Sequence, residues 1–272
     1  MNEAIKIPTH LKTLYGLFPL SVVPQAKSIA DSVIESGWWE LDQIFRAYPG
    51  QLVVTTGKAG HGKSTFLFNL IMNLCSRADK RAFLYVPENE RHLRAKLRRI
   101  WSDNPQQFEL LSQENLYIQC AGYEHYDSEP HTIDWVLEAA YGAIEYYGID
   151  VVMIDPWNEL ERAKKKDQLL ADYIGECLMK VKNFAHCTET TVFMVAHPTK
   201  AASERGVTLA DIEGSMNWWN KCDNGLIVER DQTSTKVVSA KVREHGAGKI
   251  GACFFTVNGN ERFIPQKGAV SL

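Results

Sequence analysis

Eight consecutive residues, Gly57-Lys58-Ala59-Gly60-His61-Gly62-Lys63-Ser64, satisfy the pattern G-x-x-x-x-G-K-[ST], whose chemistry is the capture of a triphosphate. Glycine lets the backbone curl around phosphate with its N–H groups turned inward, and a helix opening behind the loop adds a favourable field. The lysine of such a loop, here Lys63, reaches the β- and γ-phosphates, and the hydroxyl, here Ser64, binds Mg²⁺. Gly57, Ala59, Gly60, His61, Gly62, Lys63, Ser64 and Thr65 are therefore the candidate ATP-binding residues. Lys58 and His61 fill variable positions of the pattern, which assigns their side chains no task.

A second signal lies about ninety residues downstream. Val151-Val152-Met153-Ile154 is an apolar run ending in the carboxylate Asp155, the Walker B arrangement, in which the acid holds the water shell of a magnesium ion. Ser64 and Asp155 are thus the candidate Mg²⁺ residues. Glu159, four residues on, is either a second acid or a solvated loop carboxylate.

Both motifs need a strand to deliver them to a common edge. Gln51 to Thr56 is β-rich, and Phe66, Leu67, Leu70, Ile71 and Leu74 behind the glycine loop fall at helical spacing. The alternation continues: strands at Arg81–Val86, Leu116–Gln119, Val151–Ile154 and Thr191–Ala196, and helices at about Glu90–Trp101, Thr132–Tyr147 and Leu169–Ala185. Strands alternating with helices of this length imply right-handed crossovers and a largely parallel sheet covered on both faces. After Asn224 only strands are predicted, at Gly225–Arg230, Thr235–Val242, Ile250–Val257 and Arg262–Ile264. The expected fold class is α/β, a P-loop NTPase with a mostly parallel central sheet and a C-terminal antiparallel extension. Residues 1–36 read as a proline-broken arm with a helix near Ser28–Glu35, packed on their own domain or laid on a neighbouring subunit, and residues 37–272 as the ATPase domain.

Composition excludes more than it assigns. A net charge of −3 over 272 residues leaves no surface uniformly basic enough to coat nucleic acid, so any such contact must use local loops. The six cysteines show neither a C-x-x-C pair nor zinc spacing, and no apolar run approaches a membrane span. The expectation is a cytoplasmic protein with no membrane partner.

The ordered motifs resemble one family. Pro87-Glu88-Asn89, Ile154-Asp155-Pro156-Trp157-Asn158-Glu159-Leu160, Ala196-His197-Pro198-Thr199-Lys200, Asp211-Ile212-Glu213-Gly214-Ser215, the segment Trp218 to Gly225, and Lys241-Val242-Arg243 follow the P-loop in turn. This set, spanning about Gly37 to Phe263, is similar to the RecA-like motor of hexameric replicative DNA helicases, the DnaB-like and Twinkle-like proteins and phage primase-helicases. The resemblance implies that Glu88 orients and deprotonates the attacking water and that His197 senses the γ-phosphate. Lys241 and Arg243, on alternate positions of one strand and so on one face, match a pair that reaches a neighbouring subunit's nucleotide, with the arginine as a finger. Two DNA-gripping loops are implied as well, one carrying Arg162, Lys164, Lys165 and Lys166, the other Lys200, Arg205, Gly214 and Ser215. Without the resemblance, the lysine run is an ordinary solvated loop. Trp218 and Trp219 suit core or interface packing better than base stacking.

The implied partners are single-stranded DNA, further copies of the chain in a ring (a hexamer in the family), and a primase or loader protein. Relative to that family, the chain has no room for primase, zinc-binding or helical collar portions, so assembly would rest on the motor faces and the arm, or on a separate protein. Three functions fit: an ATP-driven helicase on single-stranded DNA, a RecA-type recombination or loading ATPase that assembles on DNA without unwinding, and an ATP-gated regulatory ring that does not touch DNA.

Overall fold

In the computed structural model, the described residues are 28–88, 92–119, 131–200, 202, 206–214 and 216–271. Asn89, Arg205 and Ser215, and all but the last residues of the 1–36 arm, lie outside them. Among the described residues one sheet of nine strands runs in the order β3-β2-β4-β5-β1-β6-β7-β8-β9. The strands are β1 Leu52–Thr56, β2 Ala82–Tyr85, β3 Leu116–Ile118, β4 Val151–Ile154, β5 Thr191–Val195, β6 Asn224–Arg230, β7 Thr235–Val242, β8 Gly251–Val257 and β9 Phe263–Ser271. Pairing is parallel from β3 through β6 and antiparallel from β6 to β9. The α/β class, the parallel sheet and the antiparallel extension expected from the sequence are all present.

The helices are α1 Ile29–Ser32, α2 Trp39–Asp42, α3 Lys63–Ala78, α4 Leu93–Ile100, α5 Pro105–Glu114, α6 Ile133–Tyr147, α7 Leu170–Thr188 and α8 Asn217–Lys221. The sheet separates two cores, and the two-residue period of the strands decides which side chain enters which. Val53, Met153, Phe193 and Val195 join the core beneath α3, α4 and α5, whereas Val54, Val152, Ile154, Val192 and Met194 join the one beneath α6 and α7. Because both faces are covered, these strands read as continuous apolar runs.

The structure corrects two expectations about the elements. The helix expected over Ser28–Glu35 is a single turn, because Val33 turns extended (φ −66°, ψ 147°) and Ile34 pairs with Ala47. The last strand does not stop at Ile264 but continues to Ser271, alongside β8.

The antiparallel extension is fastened to the phosphate-loop helix by aromatic packing. Trp38, Phe66, Phe255 and Phe263 meet with ring centroids 5.0 to 6.0 Å apart, and Asn69 of α3 accepts from the Phe263 N–H at 3.0 Å. Phe255 lies at the centre of this cluster and is fully buried. Replacing Phe255 with alanine is expected to remove about 3–5 kcal/mol of stability, read as a lower urea midpoint in equilibrium unfolding.

A candidate nucleotide site at the carboxyl ends of the strands

The phosphate loop leaves the end of β1 and enters α3 through Gly62, which has left-handed backbone (φ 88°). Gly57 opens the loop at φ 146°, and a Cβ there would lie 2.2 Å from the Val228 carbonyl oxygen of β6, so the neighbouring strand itself demands glycine. The loop is held to the same strand a second time, where the Arg230 N–H donates to His61 Nδ1 at 2.9 Å. That bond requires Nδ1 to be an unprotonated acceptor. It agrees with the lowering of the His61 pKa by burial and by the Lys58 and Lys63 charges.

Lys63 is buried, and its Nζ donates to the carbonyls of Gly57 at 3.0 Å and Lys58 at 3.1 Å. Burial pulls its pKa down, while the charges of Asp155 and Glu88 oppose that. Lys63, Asp155 and Glu88 therefore converge, although they come from the loop after β1, the end of β4 and the turn after β2. Asp155 is 2% exposed. Burial raises its pKa against the Ser64 hydroxyl, which hydrogen-bonds to it, and the nearby Lys63 and Lys96 charges. Its Oδ2 is buried with no hydrogen-bond partner, an orphaned carboxylate oxygen beside a hydroxyl and suited to a hard cation. Among the described residues no group of three or more His, Cys, Asp or Glu side chains forms a metal cage. The donors instead suit an ion that keeps waters and shares substrate phosphates, as Mg²⁺ does.

Glu88 is exposed at the rim. Desolvation raises its pKa, and so do the Glu159 and Asp155 charges and a hydrogen bond to the Glu159 side chain, with Lys63 opposing. Glu159 is itself exposed and lies close enough to act on Glu88. His197, just after β5, is half-buried; burial lowers its pKa and the Lys63 charge lowers it further, while Glu159 and Glu213 oppose this. Its backbone N–H donates to Asn158 Oδ1 at 3.0 Å. Asn158 sits in a motif that assigns it no task, and no spacing rule gives one to an amide two residues past Pro156. Lys96 on α4 also acts on this site, and its spacing alone resembles that of any solvated helix lysine.

The two loops expected to meet DNA lie against each other. Arg162 pairs with Glu213 at 3.9 Å, and the Glu213 N–H donates to the His197 carbonyl at 3.2 Å. Arg162, Lys164, Lys165, Lys166 and Lys200 are exposed. Gly214 has left-handed backbone (φ 94°), and a Cβ there would fall 2.5 Å from Ile174 Cδ1. Its lack of a side chain thus serves packing on α7. Trp218 is fully buried and meets Trp157 edge-on at 5.4 Å, as core packing required.

Lys241, near the end of β7, and Arg243, just past it, both turn to the C-terminal carbonyls of α8. Lys241 donates to Trp219 and Asn220, and Arg243 to Asn220 at 3.1 Å and Cys222 at 3.3 Å. Arg243 also pairs with Asp223, which binds the N–H of Leu52 at the start of β1. The phosphate loop follows the end of that strand, and its span Leu52–Thr56 corresponds to about 13 Å at 3.3 Å per residue. The structure does not bring Lys241 and Arg243 to their own chain's phosphate loop.

A domain profile described as an AAA domain matches residues 40–203. The chain belongs to this AAA-domain family. The Twinkle homolog protein, chloroplastic/mitochondrial, of Arabidopsis thaliana is 31% identical over 250 residues, covering 81% of this chain and 35% of that protein. The chain thus spans about a third of that relative's length. Among solved structures, one described as an ATPase domain matches with a TM-score of 0.69 at 18% identity, covering 86% of this chain and 91% of that one. A DnaB-like replicative helicase, described with its interactions with primase, matches with a TM-score of 0.69 at 19% identity, covering 85% of this chain and 61% of that one. The fold is accordingly the RecA-like one of DnaB-like motors, and the resemblance read from the ordered motifs holds. No helix among the described residues is long and apolar enough to cross a membrane.

Gly57→Ala is expected to cost of order 1–3 kcal/mol from backbone strain alone and to abolish the thermal shift that Mg·ATP gives the parent protein. Differential scanning fluorimetry with and without nucleotide reads both effects.

Proposed function

We propose that this chain is the motor of an ATP-driven helicase on single-stranded DNA, hydrolysing ATP at the interfaces between subunits of a ring, a hexamer by resemblance. The observation carrying this reading is the convergence of Lys63, Asp155, Glu88 and His197 on one sheet rim, with the Arg162–Glu213 contact joining the two candidate DNA loops beside it.

In the proposed reaction, the N–H groups from Gly57 to Thr65 cradle the phosphates and Lys63 exchanges its carbonyl partners for β- and γ-phosphate oxygens. Ser64 and Asp155 would hold Mg²⁺, which would supply charge neutralisation at the β- and γ-phosphates. The Glu88 carboxylate takes a proton from a water as that oxygen attacks the γ-phosphorus; the bond to the β–γ bridging oxygen breaks, leaving ADP and phosphate. His197, neutral at physiological pH, donates toward the γ-phosphate and passes its loss through the Glu213 turn to the DNA loops. Arg162, Lys164, Lys165, Lys166, Lys200, Arg205, Gly214 and Ser215 are proposed to hold the DNA backbone. A few contacts repeated around a ring reconcile net acidity with DNA affinity.

Lys241 and Arg243 stand at the opposite rim from their own phosphate loop, so they serve a nucleotide only across an interface. An arginine supplied in this way contributes a factor of about 10³–10⁵ in turnover. A primase or loader is a further proposed partner, and residues 37–272 the proposed motor unit.

The deciding comparison is ATPase rate with and without single-stranded DNA beside unwinding of a forked duplex. Stimulation with unwinding is expected. Stimulation without unwinding assigns a filament-forming or loading ATPase instead, and no stimulation assigns a ring that ignores DNA.

Glu88 supplies a second prediction. Its working form is the anion, and its pKa is raised, so turnover is lost on acidification at a pH above the usual glutamate range. Glu159→Gln removes a like charge and moves that acid limb to lower pH, a shift visible in a kcat–pH profile.

A further inference from the structure

Arg243 does not stand alone. Its Nε meets Asp223 Oδ1 at 3.0 Å, with the arginine side chain 41% exposed and the aspartate 6%. Asp223 is fixed from behind: its Oδ2 accepts the Leu52 N–H at 3.0 Å, and its backbone N–H donates to the Leu52 carbonyl at 2.9 Å. Lys182 of α7 pairs with the same Oδ1 and donates to the Lys221 carbonyl at 3.3 Å. Nη2 of Arg243 is tied to the carbonyls of Asn220 and Cys222. The cluster borders a cavity of about 820 Å³.

A free arginine side chain carries roughly 2 kcal/mol of rotamer entropy, which an arginine acting across an interface must give up before it can stabilise a transition state. Here the Nε edge is bound to a nearly buried carboxylate anchored to β1, so the guanidinium plane is set before any neighbour arrives. A lone carboxylate in that place would cancel the charge the finger is meant to bring. Lys182 offsets that cancellation on the same carboxylate oxygen, and with Lys241 close by the cations around Asp223 outnumber the one anion they share.

We propose that Asp223 is the positioning residue of the trans-acting Arg243 and that Lys182 is its charge-balancing partner, an inference that rests on the interfacial hydrolysis proposed above. Neither touches the chain's own nucleotide, and both act on the neighbour's through Arg243.

The test uses the full chain. Asp223→Asn keeps an acceptor for the Leu52 N–H but turns an amide N–H₂ toward the two cations. It is expected to lower kcat for ATP about 10- to 100-fold, the scale of a misplacement near 1 Å, with KM for ATP within about twofold, as for a group engaged only in the transition state. In an Arg243→Ala background the same change should cost nothing further. Mixing Asp223→Asn protein with Lys63→Ala protein should restore ATPase activity, because an intact phosphate site then meets an intact finger. A purely structural defect could not be complemented in this way.

Should Asp223→Asn melt well below the parent, Lys182→Met takes its place, with a fall in kcat at constant KM as the expected result. A normal kcat for the variant used, or failure to complement Lys63→Ala when Arg243→Ala does complement it, overturns the positioning role and leaves the finger standing. Full activity of Arg243→Ala overturns the interfacial reading itself.

Discussion

Two opposite charges, Lys63 and Asp155, are drawn out of water at the ends of β1 and β4, at 5% and 2% exposure, and neither is fully compensated by the protein. Removing an ion from water costs several kcal/mol after relaxation, and the fold offsets only part of this. The lysine receives two backbone carbonyls, and the carboxylate receives one hydroxyl while its second oxygen goes without a partner. A fold tolerates such a deficit where it is made good by what binds. A triphosphate and a divalent cation answer both halves of it at once.

The remaining architecture holds this pair in place. The parallel strands end at one level, so Glu88, Asp155 and His197 reach a common rim from β2, β4 and β5, as ligand sites of open α/β sheets generally do. Thr56 ties the rim together by donating to the Ala196 carbonyl at 2.8 Å. Beyond β6, the antiparallel strands pack the Phe263 ring beside the phosphate loop. They carry Lys241 at the other rim and clamp α3 through the aromatic cluster and the Asn69 hydrogen bond.

Much of this was legible in the residues. Fully buried strands betray themselves as apolar runs, and the pattern around Gly57 to Ser64 encodes loop, helix start and ligand together. What stayed hidden was short or long-range. The helix Pro105–Glu114 carries a proper start, with Asn104 capping the Gln107 N–H and proline at its first position. It buries only Phe108 and Leu111, too few to print a period. The turn Asn217–Lys221 is shorter than any window that reveals periodicity. Glu159 and Asn158 gain their contacts from chain folded back from β2 and β5, and no spacing rule within one sequence joins an acid to another seventy-one residues away. The Lys182–Asp223–Arg243 cluster is of the same kind, assembled from α7, the entrance to β6 and the exit of β7.

The Arg230–His61 hydrogen bond has a mechanical consequence. β6 begins beside Asp223 and ends at Arg230, so its outgoing end grips the phosphate loop while its incoming end adjoins the anchor of Arg243. β6 is paired with β7 along its length and with β1 from Asn224 to Ile227, and extended backbone stretches little. The strand is thus a continuous backbone link between the phosphate loop at one end and the anchor of Arg243 at the other. On the proposed reading, what a protomer holds in its own site biases the hand it extends to its neighbour, which is the mechanical basis for sites around a ring to act in turn.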